Sequence, residues 1–405
     1  MKSKTYINIE KTYGASNYKP IPVVISKAKG AWVVDPEGKK YLDFLSSYSA
    51  VNQGHLHPKI IRAVKKQLNR VTLTSRAFHN DKLAPFLEKL CKFTGFEMAL
   101  PMNTGAEAVE TAIKAARRWG YEIKGVEKNK AEIIVCSENF HGRTTSIVGF
   151  STDEESKMNF GPYSKGFVLV PYNDLESIEN AINKNTVAIL VEPIQGEAGV
   201  IVPDAGYLKG IRAITSKNNI LWIDDEIQTG FGRTGKFFCF EHENVRPDIL
   251  ILGKALSGGV LPVSAIVSDK KIMSVFRPGS HGSTFGGNPL GSVAASVAID
   301  VVKNERLDKK AHRLGLMLIN ALKDAKLPVI KNIRGKGLLI AIDIKEDYGP
   351  ARYYTEKLMH AGLLAKETKK HTIRFAPPLV IKENDMKHAI YLILKVLGEK
   401  KWNTF

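Results

Sequence analysis

Short, unbroken apolar runs recur through the middle of the chain, at Ile133-Ile134-Val135, Phe167 to Val170, Val187 to Val191, Ile220 to Ile223 and Ile249 to Leu252. Each is too short for a helix and is bounded by polar or glycine-containing segments, so each reads as a buried strand. Amphipathic stretches separate some of them: Leu175, Ile178 and Ile182 mark one stripe, and Leu208, Ile211 and Ile214 another. Apolar strands alternating with helices predict a mainly parallel sheet covered by helices on both faces. After about Asp300 helical patterns dominate until Leu338 to Ile344, followed by a further helix, a short Ile373-Arg374-Phe375 segment and a closing helix from Asp385 to Gly398. The chain therefore reads as an α/β protein in three parts: an extended N-terminal segment (1–45), a large domain (46–295) and a smaller α+β domain (296–405).

Composition narrows the class without naming a function. The 405 residues are 44% hydrophobic and 25% charged, which excludes a disordered or collagen-like chain. No apolar run approaches the roughly 18–20 residues needed to span a bilayer. The first residues are polar with no apolar signal core, so a cytoplasmic location is expected. Cys91, Cys136 and Cys239 are far apart and read as buried thiols in a reducing compartment. His55 and His57 lie beside Gly54 and Pro58 with no Cys or carboxylate close by in sequence, which suggests a turn, and no metal is expected. The net charge of +18 raises a nucleic-acid-binding alternative, which would show steep salt dependence. The basic residues, however, come as scattered pairs such as Lys39-Lys40 and Lys309-Lys310, which favours a solvated basic surface.

Ligands of parallel sheets gather at the carboxyl ends of the strands. There, Ile249 to Gly253 delivers Lys254 into the Gly-rich Ala255-Leu256-Ser257-Gly258-Gly259. Desolvation lowers the pKa of such an amine and suits it to Schiff-base chemistry; an isolated lysine at this place would be an ordinary surface residue. The preceding strand ends in Asp224-Asp225-Glu226, where a carboxylate is solvated, binds a metal or partners a pyridinium nitrogen. Met102 to Glu107 opens a helix whose Thr104 and Gly105 form either a plain cap or an anion site of free amides. Taken together, phosphate site, ring partner and aldehyde-binding amine match pyridoxal phosphate. Gly230-Phe231-Gly232-Arg233-Thr234-Gly235 matches GxGxxG, but it neither follows a strand directly nor opens a helix, so a glycine-rich loop is expected rather than a dinucleotide site.

Trp222 to Gly230 with Leu252 to Gly259 resembles the class III, fold type I, pyridoxal-phosphate aminotransferases, and the likeness runs from about Gly14 to the C-terminal helix. Gly14 to Pro20, Ser46 to His55 and His281 to Pro289 carry a closer likeness to members that transfer the terminal amine of ornithine. The resemblance implies that Lys254 carries the cofactor and shuttles a proton, and that Asp225 pairs with the ring nitrogen. It further implies that Gln228 reaches the ring hydroxyl, Phe140 stacks on the ring, and the Thr104-Gly105-Ala106 turn holds the phosphate. Thr284 is expected to reach the phosphate of a neighbouring subunit, which requires a homodimer. Tyr18 and Arg143, with Tyr48, are expected to hold the distal α-carboxylate and α-amine of the donor. Arg374 is expected to clamp 2-oxoglutarate, with Glu197 masking it while the donor reacts; a permanent surface ion pair is the plain alternative. Such a reaction belongs to arginine and proline metabolism. The rival substrates within the family are acetylornithine and 4-aminobutyrate.

Overall fold

The computed structural model describes residues 1–399. The last residues of the expected small domain, 400–405, lie outside the described residues. At the centre is a seven-stranded sheet in the order Met98–Met102, Ser264–Ser268, Ile249–Leu252, Leu221–Asp225, Thr186–Val191, Glu132–Cys136, Phe167–Val170. The last five run parallel to one another, whereas Ser264–Ser268 is antiparallel to both of its neighbours. All five apolar runs are therefore strands, and two further strands lie beyond them. Met98–Met102 carries Pro101, whose missing N–H is tolerated at the sheet edge, and its proline and short length conceal it from an apolar-run reading.

Side chains of one strand alternate between two apolar layers. Trp222 and Leu250 face a layer shared with Phe231 and Phe238, whereas Ile223 and Ile251 face Val109, Ala112 and Ala116 of the helix Gly105–Trp119. Because the sheet is sandwiched in this way, its open side is the row of strand ends.

A four-stranded antiparallel sheet, Ile330–Lys336, Leu339–Ile344, Thr372–Phe375 and Lys366–Lys369, forms the core of the C-terminal part. The N-terminal segment is more structured than its sequence suggests. It contains the helix Ser3–Tyr13 and an antiparallel meander of Lys27–Lys29, Trp32–Val34 and Lys40–Asp43. Lys40–Asp43 pairs in parallel with Leu363–Leu364, so the two ends of the chain share one sheet. Strands of only three or four residues carry too little apolar signal to be recognised without that distant partner. The two histidines read as turn residues do have carboxylate partners: His55 Nε2 lies 2.8 Å from Asp43, and His57 Nε2 lies 3.3 Å from Glu305.

Candidate active site

Lys254 follows the fully buried strand Ile249–Leu252 and adopts φ +43°, a left-handed conformation that a non-glycine residue holds only when its surroundings compel it. It projects into a cavity of about 200 Å³ walled by Gly105, Ala106, Phe140, Asp225 and Gln228. Burial pulls the Lys254 ammonium below the ordinary lysine range, and Arg374 acts in the same direction, while Glu197 and Asp225 oppose it. An amine that sheds its proton readily is a nucleophile and a base.

Of the three consecutive carboxylates, only Asp225 lines this cavity; Asp224 and Glu226 are buried away from it. Burial pushes Glu226 up to about 8 and Asp224 well above the usual carboxylate range. Asp225 accepts the Ile227 amide at 3.1 Å and lies 2.6 Å from His141 Nδ1. Burial acts to lower the His141 pKa, but the hydrogen bond to Asp225 and the negative charges of Asp225 and Glu192 together outweigh it and raise it. Behind this pair, Glu192 accepts the Phe140 amide at 2.9 Å, and burial pushes its carboxyl up to about 7. His141 and Glu192 are walls of the site that the sequence reading did not single out. The one available signal is that Glu192, like Asp225, follows an apolar strand.

The helix Gly105–Trp119 begins with a capping box. Thr104 Oγ1 accepts the Glu107 amide at 3.2 Å and Glu107 Oε2 accepts the Thr104 amide at 2.6 Å. Among the described residues this leaves the Gly105 and Ala106 amides free at the cavity wall, where a helix N-terminus favours an anion. Gly142 completes the approach: with φ +131°, a Cβ there would stand 2.9 Å from Ala106 Cβ.

An adjoining cavity of about 570 Å³ brings in Arg143 and Glu197 and shares Phe140 as a wall. Arg143 lies with its guanidinium 5.6 Å from the Phe140 ring centre. Glu197 accepts from Arg374 Nη1 at 2.7 Å and from Gln228 Nε2 at 3.0 Å. The Arg374 side chain is only 1% exposed, so this is not the surface ion pair of the plain alternative. Burial opposes ionisation of Glu197, yet Arg374 and Lys254 hold its carboxyl down at about 2. Tyr48 lies 5.0 Å under the Arg374 guanidinium, on a turn whose Ser46, Ser47, Tyr48 and Ser49 all have positive φ. Asp43 braces that turn by accepting the Leu45 and Ser46 amides.

Thr284 and Tyr18 line neither cavity. Thr284 is exposed on a loop tied to the start of the helix through Asn103 Nδ2, which donates to Ser283 Oγ at 2.8 Å. Tyr18 is 70% exposed, on the N-terminal segment just before Lys19 and Pro20. The GxGxxG segment is a loop, as expected: Arg233 is buried within it and donates to the carbonyls of Leu338 and Pro377 and to Asn52, joining distant parts of the chain.

A mainly parallel sheet whose strand ends present a half-buried lysine, a carboxylate and a helix N-terminus defines a class of enzyme, and the family model for aminotransferase class-III matches residues 13–397. The chain belongs to the class-III aminotransferases. It is 57% identical to an ornithine aminotransferase of Brevibacillus brevis, covering 98% of this chain and 99% of that one. The crystal structure of the ornithine aminotransferase of Toxoplasma gondii, described as holding pyridoxal phosphate at partial occupancy, superimposes with a TM-score of 0.97 at 44% identity, covering 98% of this chain and 94% of that chain. An acetylornithine aminotransferase of Elizabethkingia anophelis gives a TM-score of 0.90 at 46% identity, covering 98% and 99%.

Proposed function

We propose that this aminotransferase moves the terminal amino group of ornithine to 2-oxoglutarate, giving glutamate-5-semialdehyde and glutamate in two half-reactions with pyridoxal phosphate as cofactor. The residues fit that group: two free amides for its phosphate, Asp225 for its ring nitrogen, Phe140 for its ring face, and a buried amine for its aldehyde. Gln228, Thr104 and, from a second subunit, Thr284 complete the proposed set. When bound, pyridoxal phosphate supplies an electron sink for the carbon bearing the reacting nitrogen. Lys254 Nζ, with its lowered pKa, takes the proton from that carbon and returns it on the other side of the exchange. His141 holds the Asp225 carboxylate in place through its 2.6 Å contact, and Glu192 fixes the Phe140 backbone at the cavity wall.

The observation that carries the ornithine reading is the buried Arg374–Glu197 pair. Ornithine offers two amines, and a free Arg374 would draw its α-carboxylate to the reacting end and present the wrong one. With Glu197 occupying Arg374, that carboxylate is left to Arg143 in the adjoining cavity, and Tyr18 and Tyr48 are the further residues proposed for the distal end. 2-Oxoglutarate has a carboxylate beside its reacting carbon and needs Arg374 released from Glu197. The likeness to an acetylornithine aminotransferase supports that substrate as a second reading.

The same reading divides the chain into 1–45, 46–295 and 296–405 and makes it a cytoplasmic homodimer of arginine and proline metabolism. The exposed Thr284 and Phe285 support the dimer. The test is to add ornithine, acetylornithine and 4-aminobutyrate separately to the cofactor-loaded enzyme and follow the visible absorbance of the cofactor. A rapid change with ornithine and none with acetylornithine is expected; the reverse order overturns the assignment.

A further inference from the structure

We propose that Arg352, by pinning the N-terminal segment at Lys19 and Pro20, sets where the adjacent Tyr18 can reach, making Arg352 a positioning residue for the distal end of the amino donor. This inference rests on the ornithine reading above. Arg352 lies on the helix Ala351–Ala361 and lines the cavity that holds Arg143 and Glu197. Its guanidinium is oriented by two carboxylates: Nε donates to Glu356 at 2.6 Å and Nη1 donates to Glu367 at 3.1 Å. Glu367 is itself held by Thr355 Oγ1 at 3.0 Å, so the fork is fixed from behind. The other side of the fork takes two successive backbone carbonyls, Lys19 at 3.3 Å and Pro20 at 2.9 Å.

Those two carbonyls matter because of how little else holds the preceding chain. The helix Ser3–Tyr13 buries none of its residues, and among the described residues the hydrogen bonds made by residues 4–18 stay within the N-terminal segment. Upstream, Ser3 is tied to Glu37; downstream, Ile21 and Val23 pack against Val33, Tyr41 and Met359. Tyr18 thus lies immediately before the Arg352 anchor. Pro20 has a fixed φ, and Lys19, preceding a proline, is confined to extended backbone, so an anchor at their carbonyls orients Tyr18 through a stiff joint.

The test pairs two measurements on the holoenzyme. Arg352→Ala and Arg352→Lys, the second keeping the charge but not the fork, are compared with Tyr18→Ala and with the Arg352→Ala/Tyr18→Ala double variant. The expected loss of kcat/KM in the ornithine half-reaction is about tenfold for Arg352→Ala, expressed mainly in KM, and less than about twofold when the change is made on Tyr18→Ala. The 2-oxoglutarate half-reaction should stay within about twofold in all of them. Independently of activity, chymotryptic cleavage after Tyr18, read by mass spectrometry against cleavage after Tyr13, should accelerate in both Arg352 variants. A full loss on the Tyr18→Ala background, equal losses in both half-reactions, or unchanged cleavage after Tyr18 would overturn the proposal. If ornithine is not the donor, the wild-type protein itself fails to react with it while the cleavage measurement still reports on the anchor.

Discussion

Replacing Glu197 with Ala leaves Arg374 as a buried cation without a counter-charge. Its Nε and Nη2 already have no partner among the described residues. The contacts that would survive are neutral and long: Gln228 Oε1 at 3.3 Å and the Gly196 carbonyl at 3.4 Å. The carboxyl of Glu197 falls from 4.5 to about 2 although burial acts the other way, under the combined pull of Arg374, Lys254 and Gln228. At 1.36 kcal/mol per pKa unit that is about 3 kcal/mol favouring the ionised form, which sets an upper bound on the share owed to Arg374. A substrate carboxylate reaching Arg374 in the wild type must displace this partner; in the variant it need not. If half to all of that energy reappears in binding, 2-oxoglutarate gains about tenfold to a hundredfold in its half-reaction relative to ornithine, whose α-carboxylate is now drawn to the wrong end. Single-turnover absorbance changes of the two half-reactions measure the ratio directly, with Glu197→Gln as a neutral variant of similar shape. An unchanged ratio would refute the masking argument. The pair also predicts a pH effect. A depressed carboxylate contributes stability that is present above 4.5 and lost as pH falls through about 2, so Glu197→Ala should flatten the acid-unfolding curve in that window.

Lys254→Ala should abolish turnover in both half-reactions while the far-UV circular dichroism stays that of the wild type, because the lysine contributes its amine rather than core packing. Thr104→Ala removes one arm of the capping box and should cost about 0.5–2 kcal/mol, seen as a lowered Tm, with weakened cofactor retention on dialysis. Arg233→Ala leaves the Leu338 and Pro377 carbonyls and Asn52 Oδ1 without their donor, at about 1–3 kcal/mol for each buried group. A Tm drop in Arg233→Ala well beyond that of Thr104→Ala is expected. An unchanged Tm would remove the structural role given to the GxGxxG loop.

Much of this site was legible in the linear order of residues. Apolar runs identified the strands, and their carboxyl ends drew attention to Lys254 and to Asp224-Asp225-Glu226, because a buried parallel sheet leaves its strand ends as the place where polar chemistry is accessible. The start of the helix at Thr104 was readable for the same reason: a cap and a free N-terminus are local properties. The family resemblance pointed to Asp225 among the three, and the pleat, whose period of two sends neighbours to opposite faces, is what puts it on the cavity wall without Asp224 or Glu226. Arg374 and Glu197 are 177 residues apart, and Arg352 is 332 residues from Pro20, so no window of sequence contains either contact. His141 acquires its role from Asp225, 84 residues away, and the N-terminal meander acquires its fourth strand from Leu363–Leu364. Periodicity and capping are carried by neighbours along the chain, but counter-charges, buried partners and sheet edges are supplied by whatever the packed fold brings alongside.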